Sequence, residues 1–166
     1  MSKKDEKTNV MRLLEQRKIG YRAYNYEKLG LTNGREIAKA LGEDPDRVFK
    51  TLVTVGKTGA NYVFVIPVCA ELDLKKAARA VGEKSIAMIA QKELLPLTGY
   101  VHGGCSVIGM KKTFPTVLHA SAGEYDQIIF SGGRVGFQVE VAVSDLEQLI
   151  RLSYADITVD SCEVGH

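Results

Sequence analysis

Two apolar segments joined by a short turn constrain the fold of this chain most strongly. Residues 49–55 and 62–68 are rich in β-branched and aromatic side chains, and residues 56–60 between them contain Gly56 and Gly59. β-branched and aromatic residues favour extended backbone, and a connection of this length with glycines is typical of a β-hairpin. We therefore expect a hairpin whose two strands are central strands of a β-sheet.

Shorter elements are predicted on both sides of this hairpin. Apolar spacing and capping residues predict helices over residues 9–18, 33–42, 73–81, 91–95 and 144–150, and strands over residues 21–26, 85–89, 116–119, 127–131 and 136–143. The first helix should end at a left-handed Gly20, the fourth should stop at Pro96, and the last should open with the capping box Ser144-Asp145-Leu146-Glu147. Because the elements do not alternate as βαβ units, we predict an α+β fold, with a single domain over residues 1–166 and a curved mixed β-sheet.

Composition and charge exclude several classes of protein. The chain has 166 residues, 45% of them hydrophobic, which is enough for one buried core. No apolar run approaches the roughly 20 residues of a membrane-spanning helix, so we expect a cytoplasmic protein without a membrane partner. The net charge of +2 is too small for a general nucleic-acid binder. The three cysteines are widely spaced and His102, His119 and His166 are scattered, so reduced thiols are expected, with no metal and no cofactor.

A glycine-rich segment, residues 99–112, carries the strongest local sign of a binding site. It contains Gly103-Gly104 close to Ser106 and ends in two lysines. Glycines let the backbone bring its N–H groups up to an anionic or ester oxygen, where a side chain would collide with the ligand. An ordinary tight turn would use the same residues.

Lys50 is a second candidate, because it interrupts the apolar strand predicted over residues 49–55. An unpaired ammonium group is costly to bury, so the side chain must reach either water or a cleft. Strand alternation places Lys50 on the same face as Leu52. A solvent-facing lysine at a sheet edge is the alternative interpretation.

Two further features allow more than one interpretation. Cys105 would be a nucleophile if His102 or His119 lay beside it as a base, but a small apolar filler is the favoured interpretation. The basic groups at residues 75–79 and 111–112 could contact a few phosphates, although charge pairs of this size are more often solvated surface.

Four motifs together give the chain a resemblance to a known family. The chain resembles the YbaK/EbsC group of aminoacyl-tRNA deacylases, which is similar to the editing domain inserted in bacterial prolyl-tRNA synthetases. The resemblance runs from about Thr8 to Asp156 and rests on Phe-Lys-Thr-Leu at 49–52, Leu-Asp-Leu-Lys-Lys at 72–76, Gly-Met-Lys-Lys at 109–112 and Ser-Gly-Gly-Arg at 131–134. The first three look most like the branch that hydrolyses cysteinyl-tRNA mischarged on the proline acceptor.

The resemblance implies a role for each candidate residue. Gly103 and Gly104 would line the aminoacyl pocket, and Lys50 would hold the acceptor-end phosphate or balance the charge of the oxyanion; we name these three as the catalytic residues. Asp145 falls where the family has an acidic residue near the site, but an acid in the first turn of a helix has an equally good structural explanation. The substrate-binding residues implied by the resemblance are Tyr26, Thr51, Ser106, Ser131, Gly132, Gly133 and Asp145.

The implied activity is trans-editing hydrolysis of aminoacyl-tRNA at its acceptor end, with cysteine on the proline tRNA as the first choice. Alanine or serine as the amino acid, and a non-catalytic RNA-binding or regulatory role, are the alternatives. Without an evident protein nucleophile, water or the substrate's own thiol would attack the ester. Val107 stands where family loops usually have proline, and Tyr24-Asn25 replaces a common His-Thr. Besides tRNA, the partner to consider is a prolyl-tRNA synthetase, and the chain itself is expected to be a monomer or a weak dimer.

Overall fold

The computed structural model describes residues 7–160, whose strands form two sheets. The larger sheet has five strands in the order β4-β2-β3-β5-β8, and the smaller has three in the order β1-β7-β6. The smaller sheet is antiparallel, whereas the larger is mixed, because β5 runs parallel to both β3 and β8. The strands are β1 (Tyr21–Asn25), β2 (Phe49–Gly56), β3 (Asn61–Pro67), β4 (Ile86–Met88), β5 (Thr116–His119), β6 (Gln127–Ser131), β7 (Phe137–Ala142) and β8 (Leu152–Ala155).

The predicted α+β class with a mixed sheet is confirmed. β2 and β3 form the predicted hairpin, and each has a strand on both sides, β4 beside β2 and β5 beside β3. The strands are divided between two sheets, however, which are linked by an isolated parallel bridge between Val48 and Ile129. The 3₁₀ turn Pro45–Arg47 immediately precedes this bridge, so the chain can run beside β6 only briefly.

The α-helices within residues 7–160 are α1 (Asn9–Gln16), α2 (Gly34–Leu41), α3 (Leu74–Val81), α4 (Leu94–Thr98) and α5 (Val143–Leu149). Of these, α1, α2 and α3 begin where they are predicted to begin, and α2 ends at the predicted Gly42. The side chains of Thr8, Asn33 and Asp73 accept hydrogen bonds from N–H groups in the first turns of α1, α2 and α3. Left-handed Gly42 and Gly82 end α2 and α3.

Two predicted helix ends are wrong. α1 is closed by Lys18, which takes a left-handed φ of 60°, two residues before the predicted Gly20. Pro96 does not stop a helix but lies inside the first turn of α4. Proline is tolerated there because the first N–H groups of a helix have no acceptor within it.

The predicted capping box at the start of α5 is also wrong. The helix begins at Val143, directly after β7, and Ala142 is its N-cap without a side-chain hydrogen bond. The N–H of Val143 donates instead to the carbonyl of Asp126 at 2.9 Å. Because the strand continues straight into the helix, Ser144 lies within the first turn and cannot cap it.

Three clusters of buried side chains hold the sheets and helices together. The main core joins residues of both sheets with α1 and includes Leu14 and Phe130. The second lies between the larger sheet and α3 around Phe64, and the third packs Ala38 of α2 against the bridge at Val48. Besides the terminal strands of the two sheets, a stretch of one internal strand has an unpaired edge in the described part of the chain.

That open stretch belongs to β2. β3 pairs with β2 from Phe49 to Val55, whereas β4, on the other edge, pairs only with residues 54–56. The bridge to β6 lies at Val48, beyond the opposite end of the strand. Residues 50–52 consequently have no strand paired with them on this edge in the described part of the chain. An unpaired edge presents N–H and C=O groups to whatever lies next to it.

Replacement of the α2 cap gives a direct stability test. Asn33→Ala should lower the free energy of unfolding by about 1 kcal/mol, because it removes the oxygen that accepts from the N–H groups of Arg35 and Glu36. Asn33→Asp keeps an acceptor and should lower it much less. Urea denaturation measures both variants, and equal losses would show that this cap does not stabilise α2.

Candidate functional site

A cleft of about 490 Å³ opens along the unpaired edge of β2. α2 contributes one wall, and the glycine-rich segment and the end of β6 contribute others. A concavity of this size is typical of small-molecule sites. The predicted residues that line it are Tyr26, Lys50, Thr51, Gly103 and Ser131.

Lys50 enters this cleft as a half-buried cation. Within residues 7–160 its ammonium group makes neither a hydrogen bond nor an ion pair. Burial lowers the pKa of Lys50, and the nearby charges of Glu71 and Cys69 oppose that shift. An anion beside the ammonium group would favour its charged form, so this position favours a negatively charged ligand.

Thr51 lies at the middle of the open edge. Alternation along the antiparallel hairpin turns the main-chain groups of Lys50 and Leu52 toward β3 and those of Thr51 toward the cleft side. The hydroxyl oxygen of Thr51 is buried and has no hydrogen-bond partner. Thr51 therefore turns a main-chain N–H and C=O toward the cleft, with a buried, unpartnered hydroxyl oxygen beside them.

The glycine loop reaches the cleft through Gly103 rather than through both glycines. Gly103 has a φ of 89°, which favours glycine, and lies in the cleft lining. The N–H of Gly104 already donates to the carbonyl of Val101 at 3.0 Å. A Cβ on Gly104 would lie 2.9 Å from the backbone nitrogen of Val135, so this glycine allows the loop to approach the neighbouring turn. The N–H of Gly104 is therefore not free to donate to the substrate, as its predicted role requires.

The predicted second wall consists of Ser131 and the tight turn behind it. Ser131 lines the cleft, and its Oγ accepts from the N–H of Gly133 at 3.1 Å, which leaves the hydroxyl proton available. Gly132 donates to the carbonyl of Phe137 at 2.8 Å. Gly133 has a φ of 96°, and a Cβ there would lie 2.7 Å from a methyl of Val10. Gly132 and Gly133 shape the wall without lining the cleft.

Two other predicted residues lie away from the cleft lining. Ser106 is fully buried, and its Oγ faces the N–H of Ile108 at 3.4 Å. Asp145 is in the first turn of α5, where an acidic side chain suits the helix dipole. Of the two interpretations of Asp145, its position supports the structural one.

Comparison with known proteins decides the family. Residues 32–149 match the family model of the aminoacyl-tRNA editing domain. The chain belongs to this family. The match agrees with the sequence motifs that gave the resemblance to the YbaK/EbsC group, and that prediction is confirmed.

Individual relatives of this editing domain cover nearly the whole chain. One relative is a curated Enterococcus faecalis protein named as the Cys-tRNA(Pro)/Cys-tRNA(Cys) deacylase EbsC. It is 45% identical to this chain over 157 residues, which are 94% of this chain and 96% of that protein. A crystal structure described as a trans-editing enzyme for prolyl-tRNA synthetase has a TM-score of 0.77 at 26% identity and covers 91% of this chain and 95% of that one. A crystal structure of a protein described as hypothetical has a TM-score of 0.82 at 22% identity, covering 92% and 100%, and supports the fold alone.

Cys105 lines the cleft of the editing domain but is poorly suited to attack an ester. Burial raises the pKa of its thiol to about 11, so the thiol is protonated at neutral pH. His119 cannot serve as its base, because Nδ1 of His119 accepts from the N–H of Ile157 at 3.2 Å on the far side of the larger sheet. His102 lines the cleft, yet no hydrogen bond joins it to Cys105 among the described residues.

The basic groups predicted as phosphate contacts are not equivalent. Lys76 is bound by Asp156 at 3.2 Å, by Asp160 at 2.9 Å and by the carbonyl of Thr158 at 2.8 Å. It fastens the chain after β8 to α3, and its charge is already balanced. Lys111 and Lys112 are exposed, next to the glycine loop.

The described residues of the editing domain contain no cluster of three or more His, Cys, Asp or Glu that could hold a metal ion. None of their helices is long and apolar enough to cross a membrane.

Gln138 is a cleft residue that sequence reasoning missed. It lies opposite Ser131 in the β6–β7 pairing and is only 6% exposed. The available signal was a polar residue between Phe137 and Val139 in a strand with apolar residues on the alternate positions. A buried amide facing a cleft can bind a ligand through either its oxygen or its nitrogen.

Close packing of the glycine loop predicts a difference between two glycines. Gly104→Ala should lower the free energy of unfolding by about 1–3 kcal/mol, because the new Cβ would collide with the backbone at Arg134 and Val135. Gly20→Ala is the control, since nothing lies within 4 Å of a Cβ there and its φ is not positive. Denaturant unfolding of the two variants gives the comparison, and similar small changes in both would disprove the close approach.

Proposed function

We propose that this protein is an aminoacyl-tRNA deacylase that removes cysteine from the proline tRNA. The observation that carries the proposal is the half-buried, unpaired Lys50 in a cleft between an open strand edge and a glycine loop, within an editing-domain chain. The relative from Enterococcus faecalis supports cysteine as the amino acid. We infer a cytoplasmic location from the proposed role in tRNA editing.

The cleft suits an aminoacyl ester at the end of a tRNA. Lys50 would bind the terminal phosphate or the developing oxyanion, since its ammonium group has no other partner among the described residues. Thr51 would hold the ester through its open-edge main-chain groups, and Gly103 would approach the carbonyl closely. Donors fixed before the reaction stabilise a tetrahedral oxyanion without reorganisation.

The attacking group would not come from the protein. Cys105 is protonated at neutral pH, and no base is bonded to it in the described chain. The thiol of the substrate cysteine can attack its own ester carbonyl; a thiolactone forms, the ester bond breaks, and the tRNA hydroxyl leaves with a proton. This step would distinguish cysteine from serine and alanine, which a small pocket separates by only about 1–3 kcal/mol.

A panel of charged tRNAs tests the proposal as a whole. Cysteinyl-tRNA(Pro) should be deacylated well above the spontaneous rate and faster than seryl- or alanyl-tRNA(Pro). Faster turnover of the alanyl or seryl substrate would change the assigned amino acid. If no substrate is turned over, the protein is not a deacylase, and the alternative of a non-catalytic RNA-binding protein is favoured. Adding prolyl-tRNA synthetase to the assay tests whether this partner presents the substrate. Analytical sedimentation of the free protein distinguishes a monomer from a weak dimer.

Lys50→Ala should remove most of the deacylation activity while the protein stays folded. Loss of one preorganised charge contact typically reduces a rate by about 10²–10³. Lys57→Ala is the control, because Lys57 is exposed in the turn at the far end of β2. Single-turnover deacylation rates of the two variants are compared with that of wild type. Activity of Lys50→Ala within a factor of two of wild type would exclude a role of Lys50 in deacylation.

Cys105→Ala should keep nearly full activity, because the thiol is not the nucleophile. Single-turnover deacylation of cysteinyl-tRNA(Pro) measures the effect, with a thermal melt as the check on folding. A hundredfold loss in a folded variant would assign the attack to Cys105.

Attack by the substrate thiol predicts a particular pH dependence. The enzyme-dependent rate on cysteinyl-tRNA should rise with pH toward a plateau near the thiol pKa of about 8.5, because only the thiolate attacks. Methylation of the substrate sulfur should abolish rapid turnover without preventing binding. If the methylated and seryl substrates are cleaved as fast as cysteinyl-tRNA, water is the nucleophile.

A further inference from the structure

A buried carboxyl group lies directly behind the cleft, where the end of α2 meets β7. Glu43 follows the glycine that ends α2 and is 8% exposed. With the amide nitrogen of Gln138 turned toward it, Nε2 donates to Oε2 of Glu43 at 2.7 Å and to Oε1 at 3.3 Å. Gln138 also lines the cleft. One buried side chain therefore connects this carboxyl group to the candidate site.

The charge on Glu43 decides which end of the Gln138 amide the cleft receives. An ionised carboxylate can only accept hydrogen bonds, so it selects the orientation with Nε2 toward itself and Oε1 toward the cleft. A protonated carboxyl can donate to Oε1 and thus allows the reverse orientation. Because the two ends of an amide have nearly the same shape, packing does not distinguish them, and the hydrogen bond to Glu43 does.

We propose that Glu43 is a positioning residue for deacylation, whose carboxylate holds the carbonyl oxygen of Gln138 toward the cleft to accept a hydrogen bond from the α-ammonium group of the aminoacyl ester. The identity of this ligand rests on the proposed function, whereas the coupling of Glu43 to Gln138 is a property of the free protein. An ammonium group needs an acceptor away from the positive charge of Lys50. A carbonyl polarised by a buried carboxylate meets that need.

The groups that face Glu43 come from three neighbouring elements. Glu140 of β7 accepts hydrogen bonds from Arg47 at 3.0 Å and from the hydroxyl of Tyr24 in β1 at 2.7 Å. Burial and the like charge of Glu140 raise the pKa of Glu43 to about 7, while the charge of Arg47 and the Gln138 hydrogen bond oppose this shift. Glu43 thus changes its charge in the range where deacylation is measured.

Nuclear magnetic resonance of the free protein tests the coupling without any tRNA. The side-chain NH₂ signals of Gln138 should shift with pH together with the carboxyl carbon of Glu43, with a midpoint near pH 7. Glu43→Gln should remove this titration. Glu140→Gln is the matched control, since it removes a neighbouring carboxylate and should keep the titration but move it to lower pH. Gln138 signals that do not follow Glu43 in the wild type would overturn the coupling.

Binding of two stable analogues tests whether the cleft recognises the α-ammonium group of the substrate. The first is an adenosine that carries cysteine through a 3′-amide in place of the ester, and the second lacks its α-amino group. At about pH 7.5, where part of the ammonium remains, wild type should prefer the first by roughly tenfold or more, as expected for a charge-assisted hydrogen bond. Gln138→Met should bring the ratio close to one, and Glu43→Met, which removes the acceptor for Nε2 of Gln138, should lower it clearly; Gln138→Met supplies the comparison if Glu43→Met does not fold.

The outcomes separate this inference from the function on which it rests. Equal affinities of wild type for the two analogues would overturn the inference alone. Failure of both analogues to bind, with Gln138 still titrating alongside Glu43, would overturn the proposed function and with it the ligand assigned to Gln138. An unchanged preference in Glu43→Met, which has no acceptor at this position, would show that Gln138 does not depend on Glu43.

Discussion

Incomplete pairing of one strand is the constraint on which the site depends. β2 is hydrogen-bonded to β3 along its length, but its other edge meets β4 at one end and the bridge to β6 at the other. The gap between these neighbours is the cleft. The strand can remain open because β3 and the packed side chains at Phe49 and Val53 hold it in the core. The functional groups of residues 50–52 are therefore fixed by the hairpin and are not left to a mobile loop.

Glycines complete the cleft at two points where the backbone must come close to its neighbours. Gly104 brings the loop of residues 99–112 against Val135, and Gly133 brings the turn after β6 against Val10 in α1. Each glycine places a partner residue, Gly103 or Ser131, at the cleft. The resulting site has donors, a cation and a buried, protonated thiol, an arrangement that suits orientation of a substrate better than attack on it. Selectivity would then depend on what the substrate itself can do once it is held.

Much of the fold could be predicted because local signals agreed with the tertiary structure. The hairpin strands, the caps at Asn33 and Asp73 and the end of α2 at Gly42 all form as predicted. The misplaced start of α5 shows where local signals fail: the capping box is intact in sequence, yet the bond from Val143 to Asp126 starts the helix earlier. The division into two sheets depends on a single long-range bridge, which no local pattern encodes.

The sequence predicted which segments form the site, but it did not predict the hydrogen bonds and packing contacts within it. Motif resemblance found Lys50, Thr51 and Gly103, all of which line the cleft. It could not show that the N–H of Gly104 is bonded within its own turn. Gln138 was missed because its contact with Glu43, which is 95 positions away in the sequence, forms only in the fold.

The central claim is that the aminoacyl end of the substrate binds along the open edge of β2. Backbone amide chemical shifts during titration with a non-hydrolysable cysteinyl-adenosine amide test this most directly. We expect the largest changes at Thr51 and Gly103, with smaller changes along β3 and β8. Changes centred on the basic residues 75–79, with Thr51 and Gly103 unaffected, would contradict it.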